Sequence, residues 1–408
     1  MLCQFTVRNY KSIRDEITFD MQAAAISEHE DSIIETSDGE QYLPVSVIYG
    51  PNGGGKSTVL QAIQVLVNKV MLPIRVIGQQ FAVVVTQKQA TIEPFAFSEQ
   101  NVNSSTEFEL FFRTKIAEYR YVLHIQSDNI LFESLDRKKL GVGNKRKSSL
   151  FCRENGTIEM KGEFKKLNIV KEISDNLPVL SYLGITFSNN ETVFDVLKWF
   201  GSGIQFINYG DPLREMTMQI ANSPDTKKLV LQLLQELDIG IDDFRAEEDG
   251  DENVQVFMKH TVDGYSAELQ IWEESSGTQK LFSMVPDIFF SLSYGNTLII
   301  DELDAKLHPM LLRHIIEMYT NRSINRNGAQ LVFTSHDLST MNSEVFRRDE
   351  IWFVAKGVRQ DSKLYSLVEF KNENGASVRK DAKFDKQYLE GKYGADPYLR
   401  RIIDWGEV

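Results

Sequence analysis

Apolar residues along the chain change period several times, and each change predicts an element. Phe5 and Val7, then Ile17 and Phe19, alternate on either side of a polar Asn9–Ser12 turn, the pattern of a β-hairpin. Residues 21–44 are polar and predict irregular structure. Val45, Val47 and Ile48 form a short β-branched run that stops at Gly50, which suits a buried strand. From Thr58 to Met71 the spacing of Leu60, Ile63, Leu66 and Val67 is helical, and Pro73 is expected to end that helix. Strand patterns separated by polar turns follow at Phe81–Val85, Glu107–Arg113, Tyr119–Ile125, Asn129–Leu135, Ser149–Arg153 and Thr157–Met160, predicting an antiparallel layer. Apolar positions then shift to helical spacing at Leu167, Val170, Ile173 and Leu177 and again at Leu229, Leu233, Leu234 and Leu237, predicting a helical insert over residues 163–252. Strands return between Asn253 and Ile271. After them come a helix over Gly277–Ser293, a strand Thr297–Ile300, a helix Pro309–Asn321, a strand Gln330–Thr334 and strands near Ile351–Val354 and Lys363–Val368. Strand and helix in alternation imply a mostly parallel sheet. The expected fold class is therefore α/β: a parallel core sheet built from residues 1–162 and 253–408, with an antiparallel β layer and a helical insert.

Bulk composition narrows the function classes. The chain has 408 residues, 42% of them hydrophobic, enough for a large core. No apolar run is read as a membrane span, and MLCQFTVRNY lacks the basic-then-apolar form of a signal peptide. Two cysteines, Cys3 and Cys152, are too few for a disulfide framework or a structural zinc site. A cytoplasmic location is the expectation. The formal net charge of -13 argues against wholesale wrapping in nucleic acid; the basic stretch from Arg137 to Arg146 reads better as a solvated loop than as a phosphate contact.

The chemistry begins at VSVIYGPNGGGKST, residues Val45 to Thr58. Gly50, Pro51, Asn52, Gly53, Gly54 and Gly55 supply a turn whose backbone N–H groups can point at phosphate oxygens. Lys56 would reach the β and γ phosphates of ATP, Ser57 would ligate Mg²⁺, and Thr58 opens a helix whose positive end faces the same anion. In a chain of this length such a motif arises by chance with a probability on the order of one per cent. A strand before it and a helix after it lower that further.

A second element turns binding towards hydrolysis. Thr297–Ile300 is an apolar strand closed by Asp301 and Glu302. Asp301 would hold Mg²⁺, and Glu302 would polarise the water that attacks the γ phosphate. The strand Gln330–Thr334 ends at Ser335-His336-Asp337, which puts His336 at the sheet's carboxyl edge, where ligands of open α/β sheets bind. His308 reads as a packing or capping residue. Glu274-Ser275-Ser276-Gly277-Thr278-Gln279 is a Ser-Gly turn opening a helix. Ser275 or Ser276 there is a helix cap on one reading and a phosphate ligand on the other.

With these motifs in order the chain resembles the ABC-type ATPase heads of the SMC, RecF and OLD class. Ser275, Gly277 and Thr278 match a variant of that class's LSGGQ signature, while Glu274 and Ser276 depart from it. GPNGGGKST, DELDAKLHP, AQLVFTSHD, RRDEIWFVAK and YLEGKYGADP resemble more closely the prokaryotic AAA15/AAA21 family, which includes RloA and AbiL-type components of phage-defence operons. The resemblance implies an ATPase whose sites form between two heads. Each head would give Lys56, Ser57, Asp301, Glu302 and His336 to one ATP, and Ser275 and Gly277 to the other's. It also implies an effector partner such as a nuclease encoded nearby. The glutamine loop of the class is not identifiable; Gln79, Gln80, Gln87 and Gln89 all qualify. The stretch Tyr388–Pro397 suits a partner contact, or equally a tail packed on its own domain. A DNA-repair ATPase of the RecF or SMC class is the alternative, and the acidic balance weighs against it. A self-contained nuclease would need an appended acidic metal-binding domain, for which too few residues follow the last strand.

Overall fold

Alternate residues of the central strands point to opposite faces of one sheet, and both faces are dry. Val45, Val47 and Tyr49 lie in one hydrophobic core and Ile48 in another; Leu298 and Ile300 oppose Ile299, and Ile351 and Phe353 oppose Trp352 and Val354, in the same way. Burial on both sides is what near-continuous Val/Ile/Leu runs encode in parallel sheets. This is a computed structural model, which describes residues 1–78, 92–141, 147–169, 172–207, 215–237, 239–249, 253–371 and 375–395.

The central sheet has six strands in the order Ile204–Ile207, Thr297–Ile300, Gln330–Thr334, Val45–Tyr49, Ile351–Lys356, Ser362–Ser366. All neighbours are parallel except the last pair. The strand entering the phosphate loop is thus central, flanked by Gln330–Thr334 and Ile351–Lys356. Against one face packs the helix Lys56–Gly78 and, beyond it, a seven-stranded antiparallel sheet running Thr157–Met160, Lys147–Glu154, Asn129–Lys139, Ala117–Gln126, Thr106–Arg113, Leu2–Arg8, Ile17–Asp20. Against the other pack the helices Pro224–Glu236, Ser276–Tyr294 and Pro309–Thr320, with a three-stranded antiparallel sheet of Asp243–Asp249, Asn253–Val262 and Tyr265–Gln270.

Most elements stand where the periodicity puts them, and the main differences are these. The helix from Lys56 continues through Pro73 to Gly78. A proline inside a helix removes one backbone bond. Here the next residue, Ile74, packs on the core and sits against Gly184 of the helix Val179–Thr186, so tertiary contacts hold the last turns. The same helix is also, over Lys56–Ile77, long and apolar enough to cross a membrane, contrary to the sequence reading. Its Val59, Leu60, Ile63, Leu66, Val67 and Val70 are instead buried in the core, each contributing on the order of 2 kcal/mol by leaving water. The segment expected as a helical insert holds helices at Val179–Thr186, Glu191–Lys198, Glu215–Ala221 and Pro224–Glu236, but it also supplies the edge strand Ile204–Ile207, paired in parallel with Thr297–Ile300. Finally, the late stretch is not free for a partner at its aromatic end. Tyr388 and Tyr393 stack on Phe353 and are buried, and the Tyr388 hydroxyl donates to the Ala395 carbonyl at 3.1 Å. The expected strand Phe81–Val85 and the four candidate glutamines lie outside the described residues.

Candidate functional site

The phosphate loop is closed by neighbours on both sides. Gly50 (φ +156°) passes so near the Ile351–Lys356 strand that a Cβ there would lie 2.4 Å from the Val354 carbonyl oxygen. Gly55 (φ +110°) passes so near Ser362 that a Cβ would lie 2.2 Å from its Oγ. Neither position admits a side chain. Ser362 Oγ donates to the Gly54 carbonyl at 2.6 Å and lies 2.8 Å from Ser12 Oγ, which in turn lies 3.3 Å from Thr58 Oγ1. The N-terminal hairpin turn and the last strand of the sheet therefore clamp the loop together. Gly53, also at positive φ, is open to space, and Asn52 and Gly53 are exposed at the loop's tip.

Lys56 is buried, with Nζ donating to the loop's own Gly50 carbonyl at 3.0 Å and Pro51 carbonyl at 3.3 Å. Burial lowers its pKa, and the carboxylates of Asp301, Glu302 and Asp304 oppose that shift. At the end of the adjoining strands, Thr334 ties the two acidic residues into one unit. Its Oγ1 donates to Asp301 Oδ1 at 2.6 Å and accepts from the Glu302 N–H at 2.7 Å. Glu302 has φ +52°, the left-handed region that a non-glycine residue takes only when its surroundings fix it. His336 stands at the surface of the site, and its backbone N–H donates to Asp304 Oδ2 at 3.0 Å. Partial burial depresses the imidazole's pKa, the Lys56 ammonium depresses it further, and Asp304, Glu302 and Asp301 act the other way. Lys56, Asp301, Glu302, Asp304 and His336 thus feel one another's charge, as a common site requires.

Ser57 and Asp301 line one small cleft of about 10 Å³, with Gln61, Gln64 and Phe206 on its other walls. A hydroxyl and a carboxylate are hard oxygen donors, which fits Mg²⁺. Among the described residues no three His, Cys, Asp or Glu side chains gather as a metal cage. An ion here would rely on phosphate and water for its remaining ligands, as Mg²⁺ at nucleotide sites does.

Ser275 is the N-cap of the helix Ser276–Tyr294: its Oγ accepts from the Thr278 N–H at 3.1 Å. Capping and phosphate contact remain compatible, because a capped helix N-terminus still carries the positive end of its dipole. Gly277 sits tight against the loop that follows the carboxylates, where a Cβ would lie 3.2 Å from the Lys306 carbonyl. His308, as expected, is a cap, with Nδ1 accepting from the Met310 N–H at 3.2 Å. Sequence reasoning missed Thr334, Ser12, Ser362, Asp304 and Lys280. The last donates from Nζ to the carbonyls of Glu302 at 2.6 Å and Leu303 at 3.0 Å. Only Thr334 had a usable signal, standing two residues before His336 at the end of a recognised strand.

A family model described as "AAA domain, putative AbiEii toxin, Type IV TA system" matches residues 45–342, from the strand before the phosphate loop to beyond His336. The chain belongs to this AAA family. No curated protein matches the chain. Among solved structures this AAA chain is similar to the SMC head domain from Thermotoga maritima, at 11% identity and a TM-score of 0.37, covering 90% of this chain and 98% of that one. It is also similar to an SMC head bound to the C-winged helix domain of ScpA, at 13% identity and a TM-score of 0.42, covering 90% and 97%. A third is the Pyrococcus furiosus SMC head with an extended coiled coil bound to the C-terminal domain of ScpA, at 12% identity and a TM-score of 0.38, covering 90% and 96%.

Proposed function

We propose that the chain binds and hydrolyses ATP with Mg²⁺ at a site that closes between two copies, and that its nucleotide state switches a separate effector, such as a nuclease, in cytoplasmic anti-phage defence. One observation carries the enzymatic part: Thr334 joins Asp301 and Glu302 at the carboxyl edge of the sheet, electrostatically close to the ammonium that the phosphate loop holds. The family's description as a putative AbiEii toxin supports the defence part.

The roles follow from the chemistry of each side chain. Lys56 trades its two loop carbonyls for β and γ phosphate oxygens. Ser57 and Asp301 would hold Mg²⁺, which when bound would supply positive charge beside the phosphates. Glu302 accepts the proton of the attacking water, and His336, kept towards its neutral form, donates to or accepts from the γ phosphate's surroundings. Ser275 Oγ caps its own helix and Gly277 packs against the Lys306 carbonyl; the phosphate this turn would bind is that of a second copy, and the converse holds by symmetry.

Sedimentation of Glu302→Gln with and without Mg·ATP tests this reading. That variant is expected to bind ATP, fail to hydrolyse it and double its mass on nucleotide addition; Ser275→Arg added to it is expected to abolish the mass change while ATP binding persists. A mass that ignores ATP in Glu302→Gln, together with unaltered ATP turnover in Ser275→Arg alone, contradicts a site shared between copies.

A further inference from the structure

Lys280 lies one helical turn inside the helix that begins at Ser276, yet its ammonium reaches the catalytic edge of the sheet. Five bonds hold the three successive peptide groups from Asp301 to Asp304. The Glu302 N–H donates to Thr334 Oγ1 at 2.7 Å, and the Leu303 N–H donates to the Thr334 carbonyl at 3.2 Å. The Ala305 N–H donates to the Glu302 carbonyl at 3.1 Å, and Lys280 Nζ supplies the other two, to that same carbonyl at 2.6 Å and to the Leu303 carbonyl at 3.0 Å. Glu302 needs such holding, because its φ of +52° is one that an L residue with a side chain rarely keeps unaided.

We propose that Lys280 is a positioning residue for ATP hydrolysis: it fixes the backbone of Glu302, so that the carboxylate facing the attacking water is braced by the same helix that presents Ser275 and Gly277 to the neighbouring copy. This rests on the composite-site reading above. The ammonium is half dry. Burial lowers its pKa to about 8, the Asp304 and Glu302 carboxylates oppose the shift and Lys306 adds to it. A lysine serving only solubility would extend to water. A charged donor shared between two carbonyls is instead the strong kind of hydrogen bond, and it fixes direction as well as distance. Since Lys280 and Glu302 belong to one chain, the brace acts within each copy, whereas Ser275 acts across copies.

That difference in address is testable with purified full-length variants. In Lys280→Met the ATP affinity is expected to stay within about twofold of wild type while turnover falls by about tenfold to hundredfold, the size of loss that a small misplacement of a reacting group brings. Ser275→Arg alone is expected to lose turnover as well. An equal mixture of Ser275→Arg and Lys280→Met chains is then expected to regain turnover well above that of either variant alone, since each mixed dimer contains one intact site. A mixture of Ser275→Arg with Glu302→Gln serves as the reference and is expected to regain the same. Should Lys280→Met not fold, Lys280→Gln, which has a shorter stem ending in an uncharged amide, is read in the same assay. Recovery in the reference mixture without recovery in the Lys280 mixture overturns the proposal and leaves the composite site standing. So does a loss of ATP affinity in Lys280→Met that matches its loss of turnover. Full turnover by Ser275→Arg alone instead overturns the composite site itself.

Discussion

The two ends of the central sheet handle charge in opposite ways. At the amino end, Arg347 is fully buried and matched: its guanidinium donates to Asp349 at 2.9 and 2.7 Å and to the carbonyls of Ala24 and Glu28. The neighbouring Glu350 accepts from the Arg347 N–H at 2.8 Å, and its own carbonyl receives the Val47 N–H of the phosphate-loop strand. Gln330 knits the same end together, accepting from the Leu2 N–H and donating to the carbonyls of Leu2 and Leu43. At the carboxyl end, Lys56, Asp301 and Glu302 form no ion pair among the described residues, although their charges influence one another. The amino end spends its charges on holding strands in place. The carboxyl end leaves its charges unmatched within the chain, and the proposed phosphate chain with a hard divalent cation would supply both missing signs.

Breaking the matched end should therefore unfold the protein and leave the site's chemistry alone. Arg347→Met strands Asp349 in the interior, and removing one partner of a buried pair typically costs roughly 3–5 kcal/mol. Chemical denaturation should show that loss, while the fraction that remains folded binds ATP with unchanged affinity. A cost near zero would mean that the amino end is not a brace.

A smaller effect sharpens the same contrast. Burial pushes the Glu350 carboxyl up to about 8 from its ordinary 4.5, with the Arg347 N–H and guanidinium opposing and Asp349 reinforcing the rise. Between those two pH values the folded chain holds a proton that the unfolded chain has released. Stability conferred by that proton is complete below about pH 4.5, falls as pH rises through the window, and is fully lost above about 8. The slope is at most about 1.4 kcal/mol per pH unit. Glu350→Gln, permanently neutral, should flatten it in unfolding curves measured from pH 5 to 8; an unchanged slope would show that the group is not buried uncharged.

Legibility in the sequence followed the range of the interactions involved. The strand-turn-helix at Val45–Thr58, the strand closed by Asp301-Glu302 and the strand before His336 were readable because each is local: a β-branched run, a glycine cluster and a polar stop within fifteen residues. Four things were not. Ile204–Ile207 becomes a strand only through pairing with Thr297–Ile300, and a four-residue run following glycines carries no period of its own. The helix persists beyond Pro73 because Ile74 finds a core that local propensity cannot foresee. The loop's clamp joins Ser362 to Gly54, a partner 308 residues away, and a serine in a polar turn has many commoner explanations. Lys280 was hidden for the same reason, since a lysine on a helix near its N-terminus ordinarily points to water.

The most direct test of the central claim separates holding a nucleotide from cutting it. Equilibrium binding of a labelled ATP analogue and steady-state turnover, measured on Lys56→Ala and Glu302→Gln side by side, should split. Lys56→Ala should lose affinity by about a hundredfold or more, whereas Glu302→Gln should bind within a few-fold of wild type and turn over at least about a hundredfold more slowly. Equal loss of binding in both variants, or undiminished turnover in Glu302→Gln, would contradict the assignment of the sheet's carboxyl end as a hydrolytic ATP site.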